Sequence, residues 1–376
     1  MGRWCPLESL VTPSFWNNRR VFLTGHTGFK GAWLSLWLTQ MGAKVTGFSL
    51  PAEQDSLFRQ AGVADALTHI EGDIRDFAAV EAAMADADPE VVLHLAAQPL
   101  VRLSYEMPVE TYATNVQGTV HVLDACRRAP ALRAIVCVTS DKCYENREWV
   151  WPYRESDPMG GYDPYSSSKG AAELAIAAWR RSFFQNGPAL LASGRAGNVI
   201  GGGDWAKDRL IPDIIRALIA GDRPYIRSPH AIRPWQHVLD ALSGYLLLAE
   251  RLYSGDVTAS TGWNFGPSDD DVRPVDWITD RLTTAWGAPG WDRDHDAKLH
   301  EAGVLKLDCS KARTELAWRP ALPLNRALEW IVDWHRAVAG GANVLQTTLD
   351  QLADYRALLA TAATQKESDD RRRLFL

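Results

Sequence analysis

The sequence predicts an α/β protein: a doubly wound parallel sheet with a smaller C-terminal lobe. Three observations carry this. A strand-like run, Val21-Phe22-Leu23-Thr24, leads into glycines at Gly25, Gly28 and Gly31 and then into apolar residues at helical spacing: Trp33, Leu34, Trp37, Leu38 and Met41. Further apolar runs at 91–97, 135–139 and 190–193 alternate with stretches of helical composition. Each run is too apolar to leave one face in water, which implies parallel strands covered by helices on both sides.

The first strand, turn and helix organise the chain. Such a turn leaves backbone N–H groups unpaired at a helix start, where the helix dipole favours anions, and glycine lets a pyrophosphate approach the backbone closely. The stretch reads as a dinucleotide cradle shaped by Gly25, Gly28 and Gly31, with Phe29 at the helix start. His26 and Lys30 offer it positive charge, the alternative for Lys30 being a solvated surface lysine. A second strand is expected at 44–48 and a third at 67–70, ending in Glu71-Gly72-Asp73-Ile74-Arg75-Asp76, then a helix at 77–87. Helices over 108–129 and 166–184 flank the strand at 135–139.

These elements define a nucleotide-binding domain at 19–196. From Gly197 the alternation breaks down. Gly201-Gly202-Gly203, several prolines, helices at 211–220, 237–252, 275–286 and 324–335, and short apolar pieces at 263–265 and 305–307 read as a substrate-covering lobe at 197–340. Some of its segments are expected to return to the first domain. A helix over 344–364 and a mobile polar tail carrying Arg371, Arg372 and Arg373 make up 341–376.

Composition narrows the function class. The chain has 376 residues, 46% hydrophobic and 23% charged, a globular balance. No apolar run approaches the roughly 20 residues needed to span a bilayer, and the first 20 residues lack the apolar core of a signal peptide. A cytoplasmic protein is expected. The five cysteines, Cys5, Cys126, Cys137, Cys143 and Cys309, show no ligand spacing, so reduced thiols and no metal are expected. A net charge of −6 argues against a general nucleic-acid coat. The 16 tryptophans and His237 read as structural.

Tyr165-Ser166-Ser167-Ser168-Lys169 carries the chemistry. Four residues apart, the phenol and the ammonium share one helix face, and a neighbouring ammonium is expected to draw the phenol pKa down from about 10, which makes it a base for an alcohol proton. Ser140 stands 25 residues earlier at a strand end. With the cradle, Asp73, His94-Leu95-Ala96-Ala97 and Asn115 in this order, residues 19–252 resemble the extended short-chain dehydrogenase/reductase family. The segments 24–37, 98–108, 139–144, 146–151, 159–169, 195–205 and 233–238 resemble more narrowly the nucleotide-sugar 4,6-dehydratases, in particular those acting on CDP-glucose.

The resemblance implies a Rossmann domain, NAD as cofactor and a hydro-lyase reaction. Carbon 4 of the hexose is oxidised, water leaves across carbons 5 and 6, and hydride returns to carbon 6. It implies Tyr165 as base for the 4-hydroxyl, Lys169 as its partner and ribose contact, Ser140 as a hydrogen-bond partner of that hydroxyl, and Asp141 as the acid at carbon 6. Lys142 stands where the family has a glutamate; it is either the carbon-5 base or a contact to cofactor or substrate. Asp73 and Ile74 are implied adenine contacts, Ala96 and Ala97 leave room at the nicotinamide side, and Arg102, Ser104, Asn198, Arg209 and Arg233 are implied substrate contacts. The residues themselves leave NAD against NADP open, because neither acid nor arginine follows the second strand. The family pattern implies a homodimer through helices 115–127 and 165–184, with Ala175, Ile176 and Trp179 at the interface. The rival readings are a sugar-nucleotide 4-epimerase and an NAD-sensing regulatory protein.

Overall fold

The computed structural model describes residues 11–294 and 303–373, so that Cys5 lies outside the described residues. β1 (Arg20–Thr24), β2 (Lys44–Ser49), β3 (Thr68–Glu71), β4 (Val91–His94), β5 (Ala134–Val138) and β6 (Leu190–Ala196) form a sheet that is completed by a strand from the C-terminal half, Gly262–Phe265. The order is β3-β2-β1-β4-β5-β6 and then Gly262–Phe265, and every pairing in it is parallel. The order reverses between β1 and β4, which opens a crevice beyond their C-terminal ends.

The core follows from the apolar runs. All residues of β4, β5 and β6 are buried. Helices Phe29–Gln40 and Val238–Tyr253 cover one face with Trp33, Leu34, Trp37, Leu242 and Leu246. Helices Phe77–Ala87, Thr119–Cys126 and Pro164–Trp179 cover the other with Val80, Met84, Val122, Leu123 and Ile176. Each fully buried aliphatic side chain contributes roughly 1.5–3 kcal/mol, so these two layers dominate the stability. Ile211, Ile215, Ile278, Leu282, Leu328 and Ile331 form a third cluster among helices Leu210–Ala220, Val275–Trp286 and Leu324–Ala339. The Trp33 indole donates to Gly202 O at 2.9 Å and ties the cradle helix to the lobe.

Several sequence expectations shift. The helix expected over 108–129 is a helix at Pro108–Tyr112, a π-helical turn at Ala113–Gly118 and a helix at Thr119–Cys126. Thr119 donates back to Asn115 O at 2.7 Å, and Gly118 packs where a Cβ would meet Ile74 Cδ1 at 2.6 Å. Such bulges arise where a local side chain competes for the helical ladder. The piece at 305–307 makes only isolated bridges among the described residues, Tyr153 with Leu307 and Ile232 with the adjacent Val304. The last helix, Val344–Arg373, takes in the three arginines assigned to a tail. Trp16, Trp33, Trp37, Trp263 and Trp334 are fully buried, whereas Trp151 is exposed.

Buried titratable groups anchor the ends of the chain. Glu250 Oε1 accepts from Thr12 N at 2.8 Å and Trp16 Nε1 at 2.7 Å, and Asp240 Oδ1 accepts from the Tyr355 hydroxyl and Ala321 N, both at 2.7 Å. Burial pushes both carboxyls up to about 7. Burial also holds His26 down at about 4 and His94, His237 and His335 at about 3. Between about pH 4 and 6.5 the unfolded chain binds protons on these histidines that the folded chain refuses, so their contribution to stability is lost as pH falls. The two carboxyls act oppositely, since the folded chain binds their protons more tightly and loses that advantage as pH rises towards 7. Four histidines outweigh these two carboxyls together with Glu155 and Asp213, which burial raises less far. Denaturant midpoints should therefore be lower at pH 5 than at pH 6.5; an equal or higher midpoint at pH 5 contradicts this assignment.

Candidate active site

The cradle forms where β1 ends. Gly25 has φ +77°, and a Cβ there would stand 2.6 Å from Ala96 N. At Gly31, in the first turn of helix Phe29–Gln40, a Cβ would collide with the Gly25 carbonyl oxygen and approach His26 Cα at 2.6 Å. Glycine is therefore required at both positions. Gly28 precedes the helix in extended conformation. Thr24 Oγ1 accepts from Leu95 N and Ala96 N, both at 3.2 Å, and so joins the cradle to the end of β4. A cleft of about 1390 Å³ opens at this edge, lined by Gly25, Gly28, Phe29, Lys30 and Gly31 of the cradle and by Asp73, Ile74, Ala96 and Ala97 beyond it.

Two cradle expectations change. His26 is not among the cleft-lining residues. It is fully buried beneath Gly47, with Nε2 2.6 Å from His69 Nδ1 and its ring edge-on to Phe58, and burial keeps it neutral. It offers an anion no charge. Lys30 lines the cleft, but not as a solvated ammonium. Its Nζ lies 6.0 Å from the centre of the Tyr245 ring, and burial, with Arg209 and Lys169 adding like charge, pulls it down to about 7. Asp73 is chelated by Arg75, Nε at 2.8 Å and Nη2 at 2.5 Å, which holds its carboxyl below the usual range.

Opposite the cradle, the segment after β5 turns tightly. Ser140 caps the short turn Asp141–Cys143 by accepting from Lys142 N at 3.2 Å, and its Oγ donates to Asp141 Oδ1 at 3.0 Å. Lys142 Nζ stands 3.7 Å from the same Oδ1. The Asp141 side chain is buried behind this turn and is not part of the cleft lining. Among the described residues its Oδ2 has no hydrogen-bond partner, and a Cβ on Gly197 would lie 3.0 Å from it. Ser140, Lys142, Tyr165 and Lys169 all line the cleft.

Tyr165 and Lys169 sit near the start of helix Pro164–Trp179. Asp163 caps that helix, accepting from Ser166 N at 2.9 Å and Ser166 Oγ at 2.6 Å, and proline occupies the first turn. The expected fall of the phenol pKa is not found. Burial pushes Tyr165 up to about 12 against a lowering hydrogen bond from Ser140, and burial pulls Lys169 down to about 8. Desolvation is the largest cause for each group because both side chains are withdrawn from water, and neither group is a leading influence on the other.

On the lobe side, Asn198, Arg209 and Arg233 line the same cleft as Arg102. Arg209 Nη1 reaches Asp204 Oδ2 at 3.2 Å, and Arg102 Nη1 reaches Asp208 Oδ1 at 3.4 Å. The buried Oδ1 of Asn198 has no hydrogen-bond partner. Ser104 does not line the cleft; it is fully buried, donates to Val101 O at 2.6 Å and accepts from Tyr165 N at 3.1 Å. It therefore steadies the tyrosine rather than reaching a sugar. Sequence reasoning missed Asp163, although the Asp-Pro pair before Tyr165 is a capping signal, and Glu173, which lies one turn beyond Lys169. Asn115 joins the two halves of the site, accepting from Gln98 N at 2.8 Å and donating to Ser168 Oγ at 2.9 Å.

Comparison with known proteins agrees with this architecture. The model of the NAD dependent epimerase/dehydratase family matches residues 21–260. CDP-glucose 4,6-dehydratase of Salmonella typhimurium is 53% identical over 354 residues, 92% of this chain and 98% of that protein. dTDP-glucose 4,6-dehydratase of Streptomyces antibioticus is 30% identical over 72% of this chain and 77% of its own length. Among solved structures, DesIV, a dTDP-glucose 4,6-dehydratase from Streptomyces venezuelae with NAD bound, superposes with a TM-score of 0.74 at 24% identity, covering 87% of this chain and 99% of that one. UDP-glucose 4-epimerase from Thermotoga maritima also gives 0.74, at 20% identity over 85% and 99%. With a family model matching well over half its length, the chain belongs to the NAD dependent epimerase/dehydratase family.

Proposed function

We propose that the protein is a nucleotide-sugar 4,6-dehydratase that converts CDP-glucose to CDP-4-keto-6-deoxyglucose and water. The observation that carries this is that Tyr165 and Lys169, suited to alcohol oxidation, line one cleft with Lys142, and that Asp141 is buried behind Lys142 at 3.7 Å, completing a pair suited to elimination. A 4-epimerase needs only the first pair. The choice of CDP-glucose rests on the 53% identical relative, which this chain matches over 98% of its length.

The cradle fits a dinucleotide. Gly25 and Gly31 admit no Cβ, and the N-terminus of helix Phe29–Gln40 opens on the cleft with no acidic residue in its first turn. NAD held there would supply the hydride acceptor for carbon 4 and the hydride donor for carbon 6. Gly25, Gly28, Phe29, Lys30 and Gly31 would hold the pyrophosphate side, and Asp73, Ile74, Ala96 and Ala97 the adenosine and nicotinamide sides. Lys169 would hold the ribose.

Tyr165 accepts the 4-hydroxyl proton, with Ser140 hydrogen-bonded to both partners. Its elevated pKa means that the phenolate must be stabilised in the loaded site, where the Ser140 hydrogen bond and the positive charge of Arg209 already favour it. The ketone formed at carbon 4 acidifies carbon 5. Lys142 takes that proton, and Asp141 gives a proton to the departing 6-hydroxyl, which leaves as water. The partnerless Oδ2 of Asp141 is the oxygen assigned to this transfer. Arg209 and Arg233 would neutralise the diphosphate, with Asn198 beside them and Arg102 at the sugar.

We further infer a homodimer through the outer faces of helices Pro108–Tyr112 and Pro164–Trp179. Ile176 belongs to the core and Trp179 packs against it, so the interface is assigned instead to Val109 and Leu174, both exposed. Sedimentation at the monomer mass contradicts this.

Incubation with CDP-, dTDP-, UDP- and GDP-glucose, read by mass spectrometry, should show loss of one water from the CDP sugar. A 4-epimer at unchanged mass would overturn the reading. In deuterated water, Lys142→Met should retain carbon-4 oxidation but lose solvent exchange at carbon 5 by at least about 10²-fold. Undiminished exchange assigns Lys142 to binding instead.

A further inference from the structure

Glu173 takes no part in the proton transfers above, yet its side chain is only 3% exposed. It lies four residues after Lys169 on the same helix. Its Oε1 accepts from Thr139 Oγ1 at 2.5 Å, and its Oε2 accepts from Ser193 Oγ at 2.9 Å and Arg195 Nη2 at 2.7 Å. Arg195 Nη1 donates onward to the Tyr144 hydroxyl at 2.7 Å, which in turn donates to Asn264 Oδ1 at 2.7 Å. Thr139 and Tyr144 bracket the turn that bears Ser140, Asp141 and Lys142. One carboxylate on the helix of Tyr165 and Lys169 thus holds both ends of that turn, directly at Thr139 and through Arg195 at Tyr144.

We propose that Glu173 is a positioning residue that fixes the elimination groups, Asp141 and Lys142, against the oxidation groups, Tyr165 and Lys169. The inference rests on the dehydratase reading. Burial opposes a charge at Glu173, but the Arg195 guanidinium and the three hydrogen bonds outweigh it, so the carboxylate remains ionised as the clamp requires. The two sides of the clamp depend on it unequally. Tyr165 and Lys169 keep separate supports in the Asp163 cap and the bond from Tyr165 N to Ser104 Oγ. At the start of the turn, Thr139 is also held by the bond from its backbone N to Gly194 O at 2.9 Å. Ser140 moves with the turn, but Tyr165 and Lys169 keep their own supports whereas both elimination groups lie on the turn, so loosening the clamp should slow elimination more than oxidation, and the oxidised sugar with reduced cofactor should accumulate.

The test uses Thr139→Val, which removes the hydroxyl donor and keeps the volume, with Thr139→Ser as the rescue that restores it. Misplacement by about 1 Å costs on the order of 10²-fold in rate. Thr139→Val should lower kcat by about 10–100-fold with KM within about 2-fold of wild type, and the near-ultraviolet absorbance of reduced cofactor should build up during a single turnover. Thr139→Ser should recover most of kcat and abolish that build-up. Glu173→Gln, checked for native circular dichroism, should show the same split. Unchanged kcat in Thr139→Val, or equal slowing of both half-reactions with a lowered Tm, would overturn the proposal and leave Glu173 a merely structural residue. If wild type removes no water from CDP-glucose, the dehydratase reading fails instead, so the two failures are distinguishable.

Discussion

The parallel order of the sheet is the constraint on which the rest depends. Because every strand runs the same way, the ends of β1, β4, β5 and β6 all open on one edge. The cradle follows β1, Ala96 and Ala97 follow β4, the Ser140 turn follows β5, and Gly197 and Asn198 follow β6. Groups separated by more than a hundred residues in sequence therefore meet without any long excursion of the backbone. The sheet is buried on both faces, so this edge is rigid, and catalytic groups placed on it inherit that rigidity.

Desolvation dominates the electrostatics of the cleft. It raises Tyr165 and lowers Lys169 and Lys30, and beneath the cleft it keeps His26 neutral. Burial of this kind shifts Tyr165, Lys169 and Lys30 towards their uncharged forms until substrate and cofactor bring charge of their own. The Glu173–Arg195 pair, like Asp73 with Arg75, stays ionised, because its partners meet at 2.7 Å and make further hydrogen bonds. Removing one member of such a pair costs about 3–5 kcal/mol, since the other is left buried and uncompensated. That cost is reasonable for an element that must hold a short turn in one place.

Much of this was legible in the sequence. Apolar runs named the sheet, glycine spacing named the cradle, and Tyr165 with Lys169 named the reactive helix. What escaped was direction. His26 stands inside the glycine motif, but nothing local says that its ring turns under Gly47 towards His69, because that choice is made by a strand more than 40 residues away. Ser104 was read as a sugar contact and instead supports the backbone of Tyr165. The pKa of Tyr165 was misjudged for a related reason: the distance between two side chains can be read from helical spacing, but the loss of water around them cannot. The fold of the second half was least legible, since helix Val238–Tyr253 and strand Gly262–Phe265 rejoin the first sheet after an intervening lobe.

The central claim is that one cleft oxidises carbon 4, eliminates water and reduces carbon 6 of the same sugar. CDP-glucose carrying deuterium at carbon 4 tests it most directly. The account predicts a dehydrated product with that deuterium at carbon 6 of the same molecule, as read by nuclear magnetic resonance. Deuterium retained at carbon 4 with inverted configuration would contradict it and assign the chemistry to epimerisation.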